Sequence, residues 1–135
     1  MDPVTVPLRW VDVDALGHVY HATYLTLLDE ARSRFLSAAG VHAPSDHVVA
    51  RVEVDYLAPI GPGHGEVHVA HLVERVGRTS TTLRATIATP DGVERARALV
   101  VVVLWDPAAG RPRPLDADER AALVRLQEAG GTLER

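Results

Sequence analysis

GEVHVAHLVERVGRTSTTLRATIATPDGVERARALVVVVLW, residues 65–105, reads as three extended segments in a row. They span Gly65 to Val76, Ser80 to Thr89 and Val93 to Trp105. Each is rich in valine, leucine, isoleucine and threonine, the residues that fit a pleated, half-buried surface. The breaks between them are Gly77-Arg78 and Pro90-Asp91-Gly92. The second is a hairpin signal, because proline and glycine together supply the backbone angles a tight reversal needs. The last segment is almost wholly aliphatic from Ala98 to Leu104, as expected of a strand buried on both faces.

Working outward, another extended run covers His47 to Leu57 and ends at the turn Ala58-Pro59-Ile60-Gly61-Pro62-Gly63. A loop holding Pro44 precedes it. Before that loop the period changes: Tyr24, Leu27, Leu28, Ala31 and Phe35 recur at helical spacing within Ala22 to Ala39, and Gly40 stands where a helix terminator belongs. At the N-terminus Val4, Val6, Leu8 and Trp10 alternate, predicting a strand over Val4 to Val13. At the C-terminus a loop, Pro107 to Pro114, leads to an amphipathic helix over Asp116 to Ala129 with an acidic start. The order is strand, long helix, four strands, short helix. It predicts an α+β domain over residues 1–135, a five-stranded, mostly antiparallel sheet against one long helix, plus a short C-terminal helix. Such a sheet leaves edges that self-association would join.

Composition narrows the chemistry. The chain has no cysteine, which removes disulfides, thiolate metal ligands and a cysteine nucleophile. It has no lysine either, so all 14 basic residues are arginine and Schiff-base chemistry is excluded. A net charge of −4 argues against a nucleic-acid partner, which demands a basic face. No apolar run approaches the ~20 residues that span a bilayer, and the first ten residues carry no signal-peptide pattern, so a cytoplasmic location is expected.

The polar chemistry concentrates between Asp12 and Tyr24, at the mouth of the long helix. There the first backbone N–H groups lack intrahelical acceptors and the helix dipole favours negative charge, a cradle for a developing oxyanion. Asp12 or Asp14 could act as base or nucleophile, and Gly17 permits close backbone approach by a ligand. A carboxylate plus an oxyanion cradle is the minimum equipment for attack on an acyl carbonyl. The competing reading makes the aspartates a helix cap or loop former. His18 and His21, three apart, have the spacing of two metal ligands, but no third ligand is evident, which favours hydrogen-bonding roles and no metal. His64, His68 and His71 read as surface histidines, and Glu30 as part of a salt-bridged flank with Asp29, Arg32 and Arg34.

The motif Arg-Trp-x-Asp-x-Asp-x-x-Gly-His-Val-Tyr-His-x-x-Tyr-Leu, from Arg9, continuing to Glu30-Ala31-Arg32, resembles the hotdog-fold acyl-CoA thioesterases. Within them it is similar to the 4-hydroxybenzoyl-CoA thioesterase branch, with the Tol-Pal-associated acyl-CoA thioesterases nearest. The resemblance continues through Val54 to Pro59, Gly77 to Ser80, Val100 to Pro107 and Arg113-Pro114-Leu115. It implies a hotdog fold and hydrolysis of acyl-CoA without a cofactor. Asp14 would be the catalytic carboxylate and Asp12 a supporting residue. A backbone amide near His21 would hold the oxyanion, with Gly17 shaping the loop. His18, Tyr20, Tyr24, Arg78 and Ser80 would contact substrate. The wider family carries Asn-Asn where this chain has Tyr20-His21, and this chain has no asparagine at all. The resemblance also implies a substrate site between subunits of a dimer or tetramer. A carrier-protein-bound polyketide or fatty acyl chain is the alternative substrate; a hotdog hydratase or dehydratase is a more distant alternative.

Overall fold

A computed structural model describes residues 2–41 and 47–133. The strands are β1 (Val4–Pro7), β2 (His47–Tyr56), β3 (Glu66–Val76), β4 (Ser80–Ala88), β5 (Glu94–Asp106) and a two-residue β6 (Arg111–Pro112). The helices are α1 (Thr23–Ala38) and α2 (Ala117–Leu133). All pairings are antiparallel, in the order β1-β3-β4-β5-β2, with β6 added to the end of β5. The α+β architecture expected from the sequence is the one that forms, and α2 continues past the expected end at Ala129 to Leu133. The Pro44 loop lies outside the described residues.

The hairpin between β4 and β5 closes as the Pro-Asp-Gly signal requires. Gly92 adopts a positive φ of 85° and donates its N–H to the Thr89 carbonyl at 2.9 Å. At the preceding turn, β3 and β4 close across Gly77, whose N–H reaches the Ser80 carbonyl at 2.7 Å.

α1 buries Tyr24, Leu27, Leu28, Ala31 and Phe35, the stripe read from the sequence, together with Arg32 and Leu36. Its end is a Schellman motif. Gly40 (φ 87°) donates to Ser37 O at 3.1 Å and Val41 donates to Leu36 O at 2.9 Å, so two otherwise orphaned carbonyls are paired. Near its start α1 packs Tyr24, Leu27 and Leu28 onto Val67, Val69, Ile87 and Ala96. Near its end, Phe35 and Leu36 join Val73, Leu83, Val100 and Val102, with Leu123 of α2.

β5 departs from expectation. Ala98, Val100, Val102 and Leu104 are buried, but Leu99, Val101 and Val103 between them are only half-buried. The reason is the single-layer sheet: in one chain the helices cover one face, so even an unbroken aliphatic run alternates in burial.

β1 is also shorter than its alternation suggested. It stops at Pro7, and Trp10–Asp12 form a 3₁₀ turn that leaves Trp10 91% exposed. The Asp12 carboxylate draws this turn closed, accepting the Arg9 N–H at 2.7 Å and the Arg9 guanidinium at 2.9 Å. The short β1 pairs only with Glu66 to Val69, and α2 lies beside the rest of β3. There Gln127 donates to the Glu74 carbonyl and Arg120 to the Gly77 carbonyl, each at 2.9 Å. Gly130 comes so close that a Cβ there would sit 2.8 Å from a Leu72 methyl. A helix laid along an unpaired strand removes the edge from solvent. α2 itself opens with a reciprocal capping box: Glu119 N–H to the Asp116 carboxylate at 2.7 Å, and Asp116 N–H to the Glu119 carboxylate at 2.9 Å.

Candidate active site

The Asp12–Tyr24 segment folds on itself before entering α1. Val13 and Val19 form an isolated antiparallel bridge, Asp14 N–H donates to His18 O at 2.8 Å, and Gly17 N–H donates to Asp14 O at 3.1 Å. Gly17 sits at φ 81°; a Cβ there would meet no atom within 4 Å, so glycine serves the backbone angle, not space. The loop is tied to the body by Val19 N–H to Ile60 O at 2.7 Å and by Tyr20 N–H to Asp12 O at 2.9 Å.

Asp14 is half-buried and does loop-forming work with one oxygen. Its Oδ1 accepts the amides of Leu16 at 2.8 Å and His18 at 3.2 Å. The loop-forming reading of this aspartate is met by Oδ1, which leaves Oδ2 without a hydrogen-bond partner among the described residues. Asp12 differs: it is 2% exposed. Burial alone would push its carboxyl up, but hydrogen bonds from the Arg9 guanidinium and backbone outweigh that and hold it below the ordinary aspartate range. It is a structural pin of the 3₁₀ turn.

α1 begins without a side-chain cap. Ala22 is the capping residue, Thr23 N–H reaches Tyr20 O at 2.9 Å, and the amides of His21 and Ala22 have no acceptor among the described residues. These free N–H groups lie at the positive end of a 16-residue helix. Tyr24, one turn in, is 3% exposed; burial and the neighbouring Tyr56 raise its hydroxyl above the usual phenol range.

Asp14, His18, His21 and Tyr24 line one cleft of about 350 Å³, closed on the far side by Tyr56, Leu57, Ala58 and Pro59. Tyr56 is the residue that sequence reasoning passed over. Its ring meets Tyr24 edge-on at 4.9 Å and its hydroxyl donates to the His21 carbonyl at 2.8 Å. The signal was present: Val52, Val54 and Tyr56 alternate, and in the sheet they stand opposite buried Val100, Ala98 and Ala96, on the helix-facing side. Tyr20 is half exposed beside the His21 ring, 4.4 Å between centroids. Asp14 also borders a second groove, of about 450 Å³, walled by Arg9, Trp10, Val13 and Pro62.

Arg78 and Ser80 stand elsewhere. The Tyr56 end of the sheet aligns with Ala96 and Ile87, whereas Ser80 begins β4 seven residues away, about 23 Å along the strand. Within one chain they do not line the Asp14 cleft. Glu30 is in the predicted flank, paired with Arg34 at 2.6 Å, next to Arg32–Asp29 at 2.8 Å.

The histidines divide. His64 lies at the 3₁₀ turn before β3, its Nδ1 against Gly61 and its Nε2 3.2 Å from Arg95, and His68 pairs with Glu66 at 2.7 Å. His71 is not the surface residue expected. It faces the interior in step with Val67, Val69 and Val73, and stacks on Phe35 at 5.0 Å. Its Nδ1 is buried with no partner among the described residues. Burial, reinforced by the Arg32 charge, pushes its pKa down to about 4. The cause of the error is local: residue types along β3 do not report that Phe35 of α1 will cover position 71.

The family's sequence model, described as the Thioesterase-like superfamily, matches residues 8–123, and the chain belongs to that family. No curated protein sequence matches it. Among solved structures it is similar to a thioesterase from Thermus thermophilus complexed with coenzyme A and zinc. That protein is 35% identical over 94% of this chain and 95% of its own, with a TM-score of 0.83. A thioesterase-superfamily protein from Jannaschia sp. CCS1 is 26% identical over 93% of this chain and 82% of its own, TM-score 0.80. The DHNA-CoA thioesterase of Staphylococcus aureus shares the fold at TM-score 0.85 with 20% identity, over 97% of this chain and 93% of its own. The fold is the hotdog thioesterase fold, and the family makes the protein a thioester hydrolase.

Proposed function

We propose that the protein hydrolyses acyl-CoA thioesters to a carboxylic acid and free coenzyme A, with Asp14 as the carboxylate that drives attack. One observation carries this: the free oxygen of Asp14 borders the same cleft as His21, at the uncapped start of α1. A thioester carbonyl between them meets a base or nucleophile on one side and N–H donors on the other. As the carbonyl carbon becomes tetrahedral, negative charge grows on its oxygen, and each such donor is worth on the order of 3 kcal/mol. Two routes fit. Asp14 either removes a proton from water as it attacks, or adds to the carbonyl, expels the thiolate and leaves a mixed anhydride for water to cleave. Both end in acid and thiol.

Coenzyme A as the carrier is supported by the Thermus relative, which was crystallised with it. The motif from Arg9 to Arg32 supports a place in the 4-hydroxybenzoyl-CoA thioesterase-like branch, near the Tol-Pal-associated members. An acyl-CoA substrate would suit a cytoplasmic setting. No helix among the described residues is long and apolar enough to cross a membrane.

The site is completed by a second copy of the chain. β2 ends the strand order with no strand on its outer edge among the described residues, and Val49, Val52 and Tyr56, opposite buried Val102, Val100 and Ala96, are 41%, 38% and 49% exposed. A partner's β2 laid antiparallel on this edge would cover them and bring a second chain to the Asp14 cleft, whose wall Tyr56 to Pro59 continues from β2. Arg78 and Ser80 then serve as coenzyme contacts only from another subunit, with arginine's planar fork suited to phosphate. Two such dimers would form the tetramer.

Asp14→Asn keeps an Oδ1 acceptor for the Leu16 and His18 amides while removing the charge. The loop should therefore persist, and turnover of an acyl-CoA panel, followed by thiol release, should fall at least a hundredfold. Wild-type turnover would remove Asp14 from its role. Single turnover in ¹⁸O-water reveals the anhydride route if water cleaves it at the Asp14 carbonyl, since label then enters the Asp14 carboxylate. Acyl groups carried on coenzyme A should turn over faster than the same groups on carrier protein.

A further inference from the structure

Tyr56 lies 35 residues from His21 in sequence, yet its hydroxyl donates to the His21 carbonyl at 2.8 Å. That carbonyl belongs to the peptide joining His21 to Ala22, a unit whose N–H has no acceptor among the described residues at the head of α1. A hydrogen bond received at the C=O end of a peptide polarises its N–H end, strengthening the bond that end can donate by roughly 10–30%. The same contact pins His21, whose own N–H is likewise without an acceptor among the described residues. A helix start with no side-chain cap is otherwise the part of a helix most free to fray. Tyr56 is itself held: its ring rests edge-on against Tyr24 at 4.9 Å and 76°, and Tyr24 is 3% exposed in the core. Tyr56 therefore connects the last residue of β2 to the first turn of α1.

We infer that Tyr56 is a positioning residue for the oxyanion site: its hydroxyl fixes and polarises the His21–Ala22 peptide so that the free amides meet the developing charge. This rests on the proposed Asp14 chemistry and adds to it the group that keeps the donors aimed. The effect belongs to the transition state, because only there does the carbonyl oxygen carry the charge that the amides must meet.

Tyr56→Phe tests it, since phenylalanine keeps the ring against Tyr24 and deletes only the hydroxyl. Removing an oxyanion donor outright typically costs about 10²- to 10³-fold in turnover, so loosening one without removing it should cost about tenfold. The expected result on a good acyl-CoA substrate is kcat down about tenfold, KM within about twofold of wild type, and melting temperature and oligomeric mass unchanged. An unchanged kcat would overturn the inference. So would a raised KM at constant kcat, which would make Tyr56 a ground-state substrate contact, or a fall in kcat accompanied by loss of stability or of assembly, which would make the hydroxyl merely structural. Asp14→Asn in the same assay separates the two levels: if it is inactive while Tyr56→Phe is normal, only the positioning role fails, and if it is active the underlying reaction assignment fails.

Discussion

His71 makes the chain's stability depend on pH in a calculable way. Its ordinary pKa of 6.5 is pushed down to about 4 in the folded state, by burial against Phe35 first and by the Arg32 charge second. Below pH 6.5 the unfolded chain binds a proton here that the folded chain refuses, so stability is lost as pH falls from 6.5 through 4 and is fully present above 6.5. The whole gap corresponds to about 3 kcal/mol, and at pH 5 about 2 kcal/mol of it is already lost. His71→Phe abolishes the titration, keeps an aromatic ring over Phe35 and removes a buried Nδ1 that has no partner among the described residues. The adjoining cavity of about 370 Å³, floored by Ala85 and Ala98, gives the larger ring room. The measurement is chemical denaturation of wild type and variant at about pH 7.5 and pH 5. The difference between the two proteins should shift in favour of the variant by about 2 kcal/mol on going to the lower pH, every other titrating group being common to both. A difference that stays constant across that range would mean that His71 titrates normally, and the burial argument would be wrong.

Other consequences are more local. Glu119 is 6% exposed, accepts both Arg113 guanidinium nitrogens at 2.8 and 2.9 Å and closes the α2 capping box. Glu119→Ala should cost about 2 kcal/mol, read as a melting temperature lower by several degrees. Val52→Arg places a charge on the exposed, helix-facing stripe of β2. It should shift the sedimentation profile toward monomer and abolish acyl-CoA hydrolysis together; an active monomer would refute a site completed by a second chain.

Much of this architecture follows from residue order alone, because period and punctuation are local properties. The 3.6-residue recurrence of Tyr24, Leu27, Leu28, Ala31 and Phe35 can be satisfied only by a helix with that face buried, and Pro-Asp-Gly at 90–92 can reverse a chain between two alternating runs without partners elsewhere. The carboxylate, the glycine at positive φ and the helix mouth are likewise contiguous, so Asp14, Gly17 and His21 could be singled out before any coordinates. What tertiary structure alone decided is which distant residues meet them. Tyr56 reaches His21 because β2 pairs with β5 in a register that ends beside the helix start. His71 is interior because Phe35 arrives from α1. β1 ends early because the buried Asp12 claims the Arg9 amide, and Trp10 is turned outward with it. Periodicity reports which face of an element is apolar; it does not report what will cover that face, since cover is supplied by residues far away in sequence and, in the dimer proposed along β2, by a second chain.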